Sequence, residues 1–226
     1  MSLAIAVLIS GSGSNLQSII DSIEIGRLDA RIELVISNKP DAFGLERAKK
    51  HGIPYRVVPH DQYPVRTDYD AELIKFIRGS GAQAVVLAGF MRILTPGFIR
   101  AFENRILNIH PALLPAFPGV SGQKQAAEYG SRISGCTVHV VDEKMDNGPV
   151  IIQAAVPCPA GDDLADIKNR ILAFEHRIYP QAVQWLAQDR LKITGRKAAV
   201  ADAPEPAVYS SGNIAALVCP GFDPGF

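Results

Sequence analysis

The chain has 226 residues, 47 % of them apolar and 20 % charged, with 23 Lys and Arg balancing 23 Asp and Glu. That length allows more than one average domain and a full core, while a formal net charge of zero leaves no overall field to favour nucleic acid or an anionic membrane. Three cysteines, Cys136, Cys158 and Cys219, form no C-x-x-C pair, so neither a disulfide framework nor a thiolate zinc site is expected. The apolar start, Leu3 to Ile9, is too short to span a bilayer and has no basic leader ahead of it, which points to a soluble chain in a reducing cytoplasm.

Short apolar runs recur along the first half: Leu3 to Ile9, Ile32 to Ile36, Tyr55 to Val58, Ala84 to Ala88 and Ile106 to Ile109. Helical patterns lie between them. Leu16, Ile19, Ile20 and Ile23 fall at i, i+3, i+4 and i+7, with Ser14 or Asn15 as the expected N-cap, and a second helix is expected from near Thr67 to Ile77. Strands alternating with helices are βαβ units, and strands that are apolar on both faces belong in a buried parallel sheet. The fold class read here is α/β, with a doubly wound, mostly parallel sheet whose ligands gather at the strand carboxyl ends.

Beyond Pro118, Gly135 to Val141 and Val150 to Val156 flank a polar turn, Asp142 to Pro149, and read as a hairpin. Asp162 or Asp163 then caps a long helix carrying Leu164, Ile167, Ile171 and Leu172 and running to about Gln188. The proposed division is a domain over residues 1–195 and an irregular tail over 196–226, in which Pro204, Pro206, Pro220 and Pro224 interrupt any period. The tail is expected to be dispensable for chemistry, although Ile214 to Val218 could cover apolar surface.

Three places could carry chemistry. Ser10-Gly-Ser-Gly-Ser-Asn-Leu16 joins the first strand to the first helix, where glycines let a ligand approach the backbone and helix N–H groups meet an anion. Leu16 stands where the dinucleotide fingerprint has its third glycine, and no Lys-Ser/Thr follows as in a Walker loop, so a single phosphate fits best; a turn that binds nothing is the alternative. Asn108 and His110 share a face at the end of the fifth strand. There an amide can donate to an oxyanion and an imidazole can move a proton. Asp146 is the carboxylate to pair with His110, favouring and orienting an imidazolium, although Asp-Asn-Gly is also ordinary turn chemistry. His139 reads as a packed strand residue, and no His/carboxylate set has the spacing of metal ligands.

Seven blocks carry a resemblance: Ser10 to Leu16, Ser37-Asn-Lys39, Leu87 to Leu94, Leu107-Asn-Ile-His-Pro-Ala-Leu-Leu-Pro115, Gly135 to His139, Asp146 to Ile151 and Glu175-His-Arg-Ile-Tyr-Pro180. Together, over residues 3 to 193, they resemble the phosphoribosylglycinamide formyltransferase family, folate-dependent enzymes of purine synthesis with a Rossmann-like fold. The resemblance implies that Gly13, Ser14, Asn15 and Arg66 receive the phosphate of glycinamide ribonucleotide and Glu175 its amino end. It implies that Asn108, His110 and Asp146 are catalytic, and that Met91, Arg92, Ile93 and Leu94 with Asp142, Glu143, Lys144 and Met145 hold the folate. The co-substrate would be 10-formyltetrahydrofolate, without a metal, and the partners small molecules rather than nucleic acid or membrane, with the protein a monomer or homodimer. Two positions depart from the family pattern: Ala112 stands where Ser is usual, and Ser121-Gly122-Gln123 replaces a stretch that often holds His. The rival readings are a formyltetrahydrofolate deformylase, which would carry a further N-terminal domain ahead of a phosphate loop that here begins at Ser10, and a non-catalytic folate or phosphate binding module.

Overall fold

The seven residues of β1 (Leu3–Ile9) are all buried, as a strand with apolar side chains on both faces requires. In this computed structural model, which describes residues 2–226, β1 pairs in parallel with β2 (Ala30–Ser37) on one side and β4 (Ala84–Leu87) on the other. β3 (Tyr55–Val57) continues beyond β2, and β5 (Ile106–His110) beyond β4, again in parallel. Parallel neighbours need crossovers, and these contain α1 (Ser14–Glu24), α2 (Gly44–Lys50), α3 (Arg66–Gly79) and α4 (Pro96–Ala101). α1 packs with α2 and α3 with α4. The order β3-β2-β1-β4-β5 reverses direction after β1, so a topological switch point lies between the carboxyl ends of β1 and β4, where such sheets take ligands.

The chain divides into two units, one ending at Asn108 and the other Ile109–Phe226. In the second, α5 (Gly122–Tyr129) precedes β6 (Ile133–Val140), which pairs antiparallel with β7 (Val150–Pro157), as the hairpin reading expects. α6 (Leu164–Ala187) opens with a capping box in which Asp163 accepts from the Asp166 N–H and Asp166 from the Asp163 N–H.

The expectation of an irregular tail is corrected. β8 (Leu191–Thr194) and β9 (Lys197–Val200) form one antiparallel hairpin, β10 (Ala207–Ser211) and β11 (Ile214–Cys219) another, and β11 pairs antiparallel with β7. The connections are two residues long, Gly195-Arg196 and Gly212-Asn213, each with a glycine at positive φ, which is the short-hairpin signal. Four prolines masked it, because they break periodicity outside the hairpins, Pro204 and Pro206 between the two and Pro220 and Pro224 beyond β11. The N-cap of α1 is also corrected: the helix begins at Ser14, and Gly13, left-handed at φ 68, holds the cap position.

Candidate active site

The loop after β1 is shaped by a close approach of two glycines. A Cβ placed on Gly13 would fall 2.6 Å from the Gly44 Cα at the start of α2, and the positive φ of Gly13 is one that a side chain would resist. Ser14 and Asn15 open α1 directly after it, so their N–H groups belong to the helix end, which carries no intrahelical acceptor and the positive end of the dipole. Arg66 is exposed as the first residue of α3. The arginine seen bound to the loop is a different one, Arg47 of α2, whose Nε donates to the Ser12 carbonyl at 2.9 Å.

Ser10 ties together the ends of three strands. Its hydroxyl donates to Asn38 Oδ1 at 2.6 Å beyond β2 and accepts from the Met91 N–H at 2.9 Å beyond β4. Asn38 Nδ2 in turn lies 3.2 Å from His60 Nδ1. The segment from Met91 to Leu94 is thereby pinned at its first residue. Met91 and Ile93 are exposed and Leu94 is buried. The Arg92 guanidinium lies 5.7 Å over the Tyr69 ring, and burial pushes the Tyr69 hydroxyl well above its ordinary range. The buried Asp70 carboxylate accepts from the Thr95 N–H at 2.6 Å, and Thr95 caps α4, which fixes the far end of the same segment.

In the second unit His110, 4 % exposed, has an acceptor at each nitrogen. Nδ1 lies 3.4 Å from Asp146 Oδ2, and Nε2 lies 2.8 Å from the Phe117 carbonyl. Because a carbonyl can only accept, Nε2 carries hydrogen there; the ring satisfies both neighbours only when Nδ1 carries one as well. Asp146 sits at φ 49, a left-handed geometry that Asp tolerates better than most residues. Its Oδ2 also accepts from the Gly119 N–H at 2.7 Å. The loop around it is set by Asp142, whose carboxylate accepts from the Lys144 N–H at 2.9 Å and from Asn147 Nδ2 at 2.8 Å. Glu143, Lys144 and Met145 are exposed.

His139 is packed in β6 as expected, but it is also the second imidazole beside Asp146, with Nε2 3.8 Å from Oδ1. A register shift between Val138 and His139 marks a bulge at that point, a device that re-aims a side chain. Burial lowers the His139 pKa below its ordinary value of 6.5, with the nearby Asp146 charge opposing only in part. Thr137 and Gln153 fasten the chain that follows His110. Thr137 Oγ1 donates to the Ala112 carbonyl at 2.7 Å and accepts from the Leu114 N–H, and Gln153 Nε2 donates to the Leu114 carbonyl at 2.9 Å.

The two departures from the family pattern meet here. A Cβ on Gly122 would lie 3.1 Å from the Ala112 Cβ and 3.2 Å from both His110 Nε2 and the Phe117 carbonyl, so small residues at 112 and 122 leave room for the His110 ring and its acceptor. Asn108 is partly exposed at the end of β5, in register with Leu87 of β4. Glu175 is buried on α6, where its charge adds to burial in pushing the Cys136 thiol upward. Among the described residues no group of three or more His, Cys, Asp or Glu could hold a metal ion, and no helix is long and apolar enough to cross a membrane.

The chain matches the formyl transferase family over residues 3–183 and belongs to it. It is 48 % identical over 189 residues to the phosphoribosylglycinamide formyltransferase of Escherichia coli (strain K12), covering 84 % of this chain and 89 % of the relative. A crystal structure of glycinamide ribonucleotide transformylase 1 from Symbiobacterium toebii superposes with a TM-score of 0.87 at 49 % identity, over 89 % of this chain and 95 % of that one. The trifunctional purine biosynthetic protein adenosine-3 of Drosophila pseudoobscura pseudoobscura is 50 % identical over 190 residues, and the matched part is 83 % of this chain but 14 % of that protein.

Proposed function

We propose that the protein transfers the formyl group of 10-formyltetrahydrofolate to the amine of glycinamide ribonucleotide, a step of purine synthesis carried out in the cytoplasm on two small molecules by a monomer or homodimer. The observation that carries this reading is His110 held between the Asp146 carboxylate and the Phe117 carbonyl, in a chain 48 % identical to a phosphoribosylglycinamide formyltransferase over most of both lengths. Gly13, Ser14, Asn15 and Arg66 take the phosphate and Glu175 the amino end of the ribonucleotide. Met91 to Leu94 and Asp142 to Met145 take the folate.

In the reaction the substrate amine attacks the formyl carbon and the carbonyl electron pair moves onto oxygen. Asn108 and the His110 imidazolium donate to that oxyanion, with His110 Nε2–H exchanging the Phe117 carbonyl for it while Nδ1–H stays with Asp146. The oxyanion pair then re-forms the carbonyl as the bond from carbon to the folate nitrogen breaks, and that nitrogen, keeping the bond's electron pair, gains the proton lost by the attacking amine, Asp146 assisting its passage. One oxyanion donor is worth about 3 kcal/mol, so two supply roughly 6, with juxtaposition of the substrates adding a comparable amount.

A spectrophotometric assay of formyl-folate consumption, with and without glycinamide ribonucleotide, tests the reading. Consumption only with the nucleotide is expected. Consumption without it identifies a deformylase, and none under either condition identifies a binding module.

A further inference from the structure

We infer that Arg47 is the positioning residue of the glycine loop, turning its carbonyls away from the bound anion, an inference resting on the reading of that loop as the ribonucleotide's phosphate site. A cradle made of backbone carries an acceptor beside every donor, and a carbonyl turned inward repels phosphate. Three successive carbonyls of this loop are occupied elsewhere. Gly11 O accepts from the Gly44 N–H at 3.0 Å, Ser12 O from Arg47 Nε at 2.9 Å, and Gly13 O from the Gln17 N–H at 2.9 Å. The last belongs to the first turn of α1, whereas the first two come from α2. The missing side chain of Gly13 lets the two meet, since a Cβ there would lie 3.5 Å from Arg47 Cδ as well as against Gly44.

Arg47 is itself held by a chain of hydrogen bonds that ends in a titratable group. Its Nη1 donates to Gln17 Oε1 at 3.1 Å, and its guanidinium lies 5.0 Å over the Phe43 ring. Gln17 Nε2 donates to Asp21 Oδ1 at 2.8 Å and lies 3.1 Å from His51 Nε2. His51 Nδ1 lies 2.6 Å from Glu24 Oε1. A carboxylate only accepts, so the proton of a neutral His51 is on Nδ1, and Nε2 offers a lone pair to the Gln17 amide. Every member is satisfied in that state.

Protonation of His51 sets an N–H against the Gln17 N–H. Rotating the amide relieves that contact only by turning its oxygen toward Asp21 and its NH₂ toward Arg47. Acid therefore undoes the hold on Arg47, three hydrogen bonds away from the Ser12 carbonyl. The groups that face His51 are Glu24 and Gln17 of α1, with Asp21 one bond further on, and Arg47 of its own helix beyond Gln17.

Steady-state kinetics of wild type, Arg47→Met, Arg47→Lys and His51→Gln test the inference. Arg47→Met keeps the apolar stem beside Gly13 and removes the donors. Its KM for glycinamide ribonucleotide is expected to rise about three- to tenfold, the worth of one or two hydrogen bonds, with the KM for formyl-folate unmoved and the effect on kcat below about twofold. Arg47→Lys, with its donors on a single nitrogen, should recover part of the loss. In wild type the KM for the nucleotide should climb in acid that protonates His51, and His51→Gln should flatten that climb. Titration of the substrate phosphate is common to both proteins and cancels in the comparison. Turnover by wild type with an unchanged nucleotide KM in Arg47→Met, or with both KM values rising together, overturns the inference alone. No turnover by wild type overturns it along with the assigned function. If Arg47→Met fails to fold, the His51→Gln profile decides: an acid limb as steep as in wild type overturns the inference.

Discussion

Around His110 the chemistry depends on what is absent as much as on what is present. The side chain missing at Gly122 leaves the space in which Nε2 meets the Phe117 carbonyl at 2.8 Å. Gly122→Ala would put a methyl group 3.2 Å from both atoms and 3.1 Å from the Ala112 Cβ. The Phe117 carbonyl and the Ala112 Cβ are fixed to backbone, the latter held by Thr137 through the Ala112 carbonyl, whereas the imidazole turns about its side-chain bonds, so the ring is the group that shifts. A displacement of well under 1 Å in a catalytic group costs a large factor in rate, so kcat should fall about tenfold or more while the thermal midpoint moves by only a few degrees; unchanged kcat would remove His110 from the chemistry. Sequence alone marked positions 112 and 122 as departures, but not that they touch each other.

His139 makes the stability of the fold depend on pH. Its folded pKa lies below the ordinary 6.5 because burial disfavours the charged ring. The unfolded chain therefore binds a proton that the folded chain resists, and stability present above about pH 6.5 is lost as pH falls toward and through the depressed value. His139→Gln, polar and unable to titrate, should lower stability somewhat at pH 8 yet make the urea midpoint less sensitive to pH between 7 and 5. An equally steep acid decline in the variant would place the responsible group elsewhere. The strand period put His139 inside β6, but the bulge that brings its Nε2 to 3.8 Å from Asp146 has no signature in composition or spacing.

Among the elements, those with a long apolar period were legible and the short ones were not. β1 and α6 announce themselves, the first by an unbroken apolar run and the second by its i, i+3, i+4 face and the Asp163 box. α2, with seven residues, and α4, with six, are too short to show a period, yet they supply the Gly44 and Arg47 contacts to the glycine loop and an anchor for the Met91 to Leu94 segment. α6 also shows how the tail is fastened. The Asp223 carboxylate accepts from Trp185 Nε1 at 2.8 Å, Gln181 Nε2 at 3.2 Å and Arg190 Nη1 at 2.6 Å, while the Asp223 N–H returns a bond to Gln181 Oε1. Arg190 also donates to the carbonyls of Ala201 and Asp202. Asp223→Ala would leave several largely buried donors without their acceptor, a loss of about 2 kcal/mol, read as a lower urea midpoint at unchanged slope. A midpoint within error of wild type would mean that water replaces the carboxylate without cost.

On the scale of the whole chain, the charge balance left no overall field to favour a polyanionic partner, and the strand-helix alternation gave the parallel sheet of the first unit. The tail from Arg196 was misread because its strands are four to six residues long and its contacts are with distant parts of the sequence. Those contacts now determine what truncation would do. Removing residues 196–226 strips β11 from β7, uncovers the buried Trp185 of α6, and deletes the buried side chains of Val218 and Phe222. It also removes Arg177's partners on the tail: the Phe222 ring 4.2 Å away and the carbonyls of Ser210 and Phe226. Two large apolar side chains at about 1.5–3 kcal/mol each, with the Asp223 cluster added, approach the 5–15 kcal/mol by which a typical domain is stable. The chain ending at Gly195 is therefore expected to be poorly folded, and inactive through that loss rather than through loss of a reacting group. Urea unfolding followed by Trp185 fluorescence, measured beside specific activity, checks this: a truncated chain with the wild-type midpoint and full kcat would show that the two hairpins are ornaments on α6, whereas a lowered midpoint and an activity recovered in stabilising sulfate would make the tail part of the folding unit.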